Sequence, residues 1–113
     1  MSNVLSGRTP EQRKAALRKA TEIRAARAAL LADLHDGRVS LADVFTRVDS
    51  NDVVAARTKV RAILIAHPGV GPVTADKTLE DLSISPRRRL QGIGPLQRER
   101  LLQWSAERFG AQA

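Results

Sequence analysis

Two Gly-x-Gly turns constrain this 113-residue chain more than any other feature: His67-Pro68-Gly69-Val70-Gly71 and Gln91-Gly92-Ile93-Gly94. Each follows an apolar segment and precedes one with helical spacing, and Arg87-Arg88-Arg89 lies between them. Glycines let a backbone turn sharply and approach a ligand with no Cβ in the way. The free N–H groups that open the next helix, reinforced by its dipole, then favour an anion such as phosphate. Contacts of this kind position a nucleic acid without reading its sequence.

The charge pattern points the same way. The net charge of +7 divides into +4 over residues 1–34, −1 over 35–85 and +4 over 86–113. Solubility alone can account for an excess of charge, but arginines beside glycine turns favour a polyanionic partner. With no cysteine, the chain has neither a disulfide framework nor a thiolate metal site, in keeping with a reducing cytoplasm. Residues 1–9 lack the apolar core of a secretory signal, and no window approaches the ~18 apolar residues of a membrane span. The expectation is a soluble cytoplasmic protein with no membrane partner and no small-molecule substrate. The two histidines, His35 and His67, fall at predicted helix ends, where they suit terminal carbonyls. No residue spacing suggests a metal site, and no serine has a nucleophile-elbow context, so neither cofactor nor catalysis is expected.

Local signals predict an all-α fold, with a flexible N-terminus over 1–8, a long basic helix over 9–37 and a compact helical domain over 38–113. Thr9 is a suitable N-cap, Pro10 suits the first helical position and Gln12 completes a capping box. Gly37 supplies the stop after about His35. The apolar residues Leu17, Ile23, Leu30, Leu31 and Leu34 thicken toward the C-terminal end. That end should dock on the domain, while the half bearing Arg13, Lys14, Arg18 and Lys19 projects, either along DNA or as a solvated charged helix. Ser40-x-x-Asp43 opens a second helix with Leu41, Val44, Phe45 and Val48 inward. The Asp49–Asp52 cluster caps a third, running to about Ala66 and burying Val53, Val60, Ile63 and Leu64. A fourth spans roughly Pro72 to Leu82. The last runs from about Pro95 to Phe109, with Leu96, Leu101, Leu102, Ala106 and Phe109 as its apolar face. β-Branched residues never alternate cleanly, so no strand is expected. Trp104 and Phe109 are predicted core residues. With Phe45 they are the only aromatics, too few for serial stacking of single-stranded bases.

The segment Leu64 to Ala75 matches the helix–hairpin–helix pattern, in which Val70 would plug the core and pin the turn. The segment Leu82 to Gly94 resembles the helix–two-turns–helix element of a small-subunit ribosomal protein and of one class of DNA-repair glycosylases. The glycosylase version needs an N-terminal proline nucleophile in a separate domain, and this chain has neither. Across roughly Pro10 to Phe109 the order resembles the actinobacterial integration host factor family. The matching residues are Thr9-Pro10-Glu11-Gln12-Arg13 with Ala15-Ala16-Leu17, Lys59-Val60 ahead of Pro68-Gly69-Val70-Gly71, and Arg88-Arg89-Leu90 with Gly92-Ile93-Gly94. The resemblance implies a nucleoid-associated protein that binds duplex DNA with low sequence preference and bends or remodels it, without enzymatic activity. The residues expected to meet DNA are Lys59, Gly69, Val70, Gly71, Thr74, Arg87, Arg88, Arg89, Gln91, Gly92, Gly94 and Arg98. Three family positions have lost their charge: a lysine after Gly71 is here Pro72, a following basic residue is Thr74, and an arginine before the second turn is Gln91. Arg87 and Arg98 are left to compensate. Structured RNA or the ribosome, and a protein-interaction module with an exposed alanine-rich helix, stand as the alternative functions.

Overall fold

In a computed structural model, which describes residues 7–109, six α-helices build a helical domain with one long helix projecting from it. α1 spans Pro10–His35, α2 Leu41–Asp49, α3 Val53–Arg57, α4 Val60–Ala66, α5 Pro72–Asp81 and α6 Pro95–Phe109, with a 3₁₀ turn at Leu90–Gly92. No strand occurs among the described residues; the nearest thing is one antiparallel bridge between Lys59 and Arg89.

The caps explain where the helices start. The Thr9 hydroxyl accepts from the Gln12 N–H at 3.1 Å, and the Thr9 N–H donates to Gln12 Oε1 at 2.8 Å. Ser40 and Asp43 repeat this reciprocal pair at the head of α2, and Asp52 caps α3 by accepting from the Ala55 N–H. α1 ends in a Schellman turn: the Gly37 N–H donates to Leu34 O and the Arg38 N–H to Asp33 O. Gly37 sits there at φ +76°, a conformation that a side chain would strain.

At ~1.5 Å per residue, α1 is roughly 39 Å long, in a molecule 56 Å along its longest axis. Only Leu30 and Leu34 of α1 are buried, where it packs on α3 and α4, and Leu17 is 67% exposed. The helix therefore docks by its C-terminal turns, as its apolar spacing predicts. The proposed flexible segment falls largely on residues outside those described. Leu41, Val44, Phe45, Ile63, Leu64, Leu79, Leu90 and Leu101 form the core, joined by Val70 and Ile93, the middle residues of the two glycine turns. Burying each large apolar side chain stabilises the fold by about 1.5–3 kcal/mol.

The structure corrects the third helix. Instead of running from Val53 to Ala66, it breaks at Thr58 and Lys59 into α3 and α4. The cause is tertiary: the Leu90 N–H donates to Thr58 O and the Val60 N–H donates to Arg88 O, both at 3.0 Å. The passing chain takes backbone groups that a continuous helix would have used internally. α3 then turns Ala55, not Val53, to the core, and Val53 is 63% exposed. In α6, Leu101 is buried and Leu102 partly so, whereas Leu96 and Ala106 are exposed, against expectation. The Phe109 side chain lies outside what the structure describes.

Candidate nucleic-acid interface

The first glycine turn is open backbone. Gly69 adopts φ +79°, the Val70 N–H closes the turn on His67 O at 3.1 Å, and Val70 points into the core. Gly71 then caps α5 with Pro72 at its first position and no side-chain cap. The Val73 and Thr74 N–H groups belong to the unpaired donors of a first helical turn. Thr74 is half-buried, and its carbonyl accepts from the Thr78 hydroxyl. With nothing within 4 Å of a Cβ built at Gly69 or Gly71, the approach is unobstructed.

His67 anchors this turn from below. Its Nδ1–H donates to Ile63 O at 2.8 Å, which leaves Nε2 to accept from the Ser105 hydroxyl at 3.1 Å. Burial pushes the imidazole pKa below its ordinary value, so the ring is held neutral. Trp104 meets His67 edge-on at 5.2 Å, and the Arg108 guanidinium lies 5.6 Å over the indole. Both histidines thus sit at helix-end carbonyls, His35 through Nδ1 at 3.3 Å from Ala66 O.

The second turn carries the charge and is braced by it. Arg88 Nη1 donates to Gly92 O at 2.7 Å, and Arg89 Nη1 donates to Arg57 O. The Arg87 N–H is held by the Ser85 hydroxyl at 3.2 Å, while its side chain is exposed. The bridge to Arg89 brings exposed Lys59 to the same edge. Gln91 and Gly92 are exposed on the 3₁₀ turn, and Gly94 is half-buried. Gln97 reaches back to the Gly94 N–H at 3.4 Å and also donates to Ser83 O. This turn is therefore capped from within, unlike the first.

The expected residues separate into two places. His67, which leads into Gly69, Val70 and Gly71, bonds Ser105 in the C-terminal half of α6, and Thr74 lines a cleft with Trp104 and Arg108 of that half. Lys59, Arg87–Arg89 and Gln91–Gly94 lie at the N-terminus of α6. From Pro95 to Ser105 the helix climbs roughly 15 Å, so the two turns are associated with different ends of α6. Arg98 is engaged elsewhere: it forms a two-pronged pair with Asp49 at 2.8 and 3.0 Å and covers the Phe45 ring at 4.5 Å. That pair holds the Asp49 carboxyl below the usual range.

Sequence reasoning missed a groove. Lys19, Arg24 and Arg27 of α1 face Arg57 and Arg89 across an apolar floor of Ala20, Ile23, Val53 and Val54, with no carboxylate in the lining. Arg27 Nε is buried there without a hydrogen-bond partner. The i, i+4, i+8 spacing of Lys19, Ile23 and Arg27 shows the helical face, but nothing local predicts that Arg57 and Arg89 meet it.

A family model described as an S13-like H2TH domain matches residues 34–105. The integration host factor of Mycobacterium tuberculosis is 44% identical over 103 residues, covering 91% of this chain and 93% of that protein. The chain belongs to the integration host factor family. The Streptomyces coelicolor integration host factor is 44% identical over 86 residues, covering 76% of this chain and 79% of that one. A solved structure of sIHF bound to an 8bp palindromic DNA aligns with TM-score 0.74 at 34% identity, over 78% of this chain and 98% of that chain. The long helix and the two-turn element are thus features of an integration host factor fold.

Proposed function

We propose that this chain binds double-stranded DNA through its sugar–phosphate backbone, with little sequence preference, and bends or otherwise remodels it as a nucleoid-associated protein without catalytic activity. The observation that carries this reading is the basic edge at the second turn, where Arg88 and Arg89 are clamped beside Lys59 and Arg87. Clamped guanidiniums lose little freedom on meeting a phosphate, and each retains further N–H donors. The first turn adds backbone donors at a separate place, beside the C-terminal half of α6, so both sites engage only if the duplex presents phosphates to each. The groove of Lys19, Arg24, Arg27, Arg57 and Arg89 extends the positive surface along α1. It supports a contact between the long helix and a neighbouring stretch of DNA.

The test is anisotropy binding to two unrelated duplexes across a salt series. Replacing Arg88 and Arg89 by alanine should weaken both equally and lower the slope of log K against log salt by up to about 1.8. Unchanged affinity at low salt refutes the grip. Duplex RNA of equal length serves as competitor, and a preference for RNA overturns the DNA assignment. Circularisation of short fragments reports bending.

A further inference from the structure

The groove beside α1 combines two features that a DNA contact alone does not require. Its walls are cationic, with Lys19, Arg24 and Arg27 on one side, Arg57 and Arg89 on the other, and no carboxylate in the lining. Like charges held together repel, and no opposite charge within the groove offsets that cost. Arg27 shows the strain most directly, because its Nε is buried with no hydrogen-bond partner among the described residues. Such a donor is rare in a native fold and points to an ion or ligand that answers it. The floor has the opposite character. Ile23, Val53 and Val54 line it with aliphatic side chains, and Val53 is 63% exposed. The cleft measures about 700 Å³, within the ~300–1,000 Å³ of small-ligand sites. A duplex is a broad rod that satisfies the rim cations and leaves the aliphatic floor uncovered. A small molecule with an apolar body and an anionic tail matches both.

We propose that this groove binds a nucleoside polyphosphate, with base and sugar on the aliphatic floor and phosphates bridging the two cationic walls. Five cations without a carboxylate call for several negative charges, which selects a polyphosphate over a fatty acid or another singly charged amphiphile. Guanidiniums suit both parts of such a ligand, offering a fork to phosphate oxygens and a flat face to the base. Arg27 Nε is shielded even from water, so the ligand must draw the guanidinium round to present it. The floor side chains carry no donor or acceptor, so the base is packed and not read, and adenine and guanine bind alike. The site goes beyond the DNA-binding reading and stands without it, whereas its consequence rests on that reading. Arg89 belongs both to the groove and to the basic edge of the second turn. A nucleotide that engages Arg89 draws it from the duplex, so groove occupancy and the grip on DNA oppose each other.

The test is calorimetric titration of the full chain with ATP, GTP, inorganic triphosphate and adenosine, at constant ionic strength and without added divalent metal. ATP and GTP should saturate one site with affinities within about threefold of each other, on the order of tenfold tighter than triphosphate or adenosine. Arg27→Met keeps the apolar stem and should weaken ATP binding about tenfold or more. Arg38→Met, an equal loss of charge outside the groove, should leave it unchanged. Triphosphate binding as tightly as ATP, equal losses in the two variants, or no saturable binding overturns the site. Anisotropy on a short duplex supplies the second arm. ATP near its own dissociation constant should weaken DNA binding by the wild type and not by Arg27→Met. DNA affinity that ATP leaves unchanged overturns the opposition at Arg89. A wild type that binds ATP and no DNA sinks the DNA reading and upholds the site. Loss of DNA affinity in Arg27→Met, with no ATP binding by the wild type, makes the groove a duplex contact and overturns the proposal. Thermal melting checks the fold, and Lys19→Met, on an exposed side chain, repeats the test if Arg27→Met melts early.

Discussion

Gly92→Ala isolates the clamp on Arg88 without removing a charge. A Cβ built at Gly92 lies 2.9 Å from Arg88 Cδ and 3.9 Å from its Nε. The first distance is too short for carbon atoms, so the arginine must swing away and release its 2.7 Å bond to Gly92 O. The obstructing group is a flexible side chain, and the alanine meets no backbone. The lost hydrogen bond is exposed and charge-assisted, so it costs stability about 0.5–1.5 kcal/mol. The larger effect falls on DNA. An unclamped arginine must be ordered at the moment of binding, which costs on the order of 1 kcal/mol and so about fivefold in affinity. The assay is fluorescence anisotropy on a short duplex in a double-mutant cycle with Arg88→Ala. Gly92→Ala should weaken binding in the wild-type background and do little once Arg88 is gone, leaving a coupling of similar size. A full effect of Gly92→Ala in the Arg88→Ala background would refute the clamp, as would unchanged affinity of the single variant.

Further outcomes follow from the arrangement of these side chains. Asp49→Asn removes the internal counter-ion of Arg98, so DNA affinity should rise and the salt slope should steepen by up to about 0.9. Because Arg98 depresses the Asp49 pKa, the pair's contribution to stability is complete above the ordinary value of 3.8 and fades as pH falls through the depressed one. Melting curves of wild type and Asp49→Asn should therefore converge in strong acid. His67 is held neutral by burial, so stability is full above its ordinary value of 6.5 and is lost as pH falls from there toward its lowered folded value. Urea denaturation at about pH 7.5 and about pH 5.5 should show that loss in the wild type and little of it in His67→Gln, and equal pH slopes would contradict it. Arg87→Ala, on an exposed side chain, should leave stability within about 0.5 kcal/mol yet lower the salt slope by up to about 0.9. Arg89→Ala should cost about 1–2 kcal/mol of stability as well, because it releases Arg57 O, and calorimetry separates the two.

What the sequence made legible is what local chemistry decides. Thr9 with Gln12, Ser40 with Asp43, Asp52 and Gly37 each mark a helix end within a few residues, and each marks it correctly. The glycine turns and their buried centres, Val70 and Ile93, are legible for the same reason. The break at Thr58 and Lys59 is not. No glycine or proline occurs between Val53 and Ala66, and the interruption comes from backbone groups some thirty positions further on. Separation along the chain likewise hides the pairing of Arg98 with Asp49, 49 positions apart, and of Arg61 with Asp76, 15 positions apart, at 2.7 Å. It also hides the meeting of Arg57 and Arg89 with α1. The charges of the interface could be counted from the sequence, but their availability could not, because it depends on which carboxylate the fold brings to each.

The two hydrogen bonds between Thr58–Val60 and Arg88–Leu90 run in opposite directions across one short stretch of backbone. Neither the helix break nor the basic edge exists without them. They make the junction of α3 and α4 and the arginine segment one cooperative unit of opening. The Val60 and Leu90 amides should then exchange with solvent at matching rates, and a DNA ligand held by the arginines should slow both together. By reciprocity, a substitution at buried Thr58, which touches no charge of the interface, changes affinity to the extent that it loosens this unit.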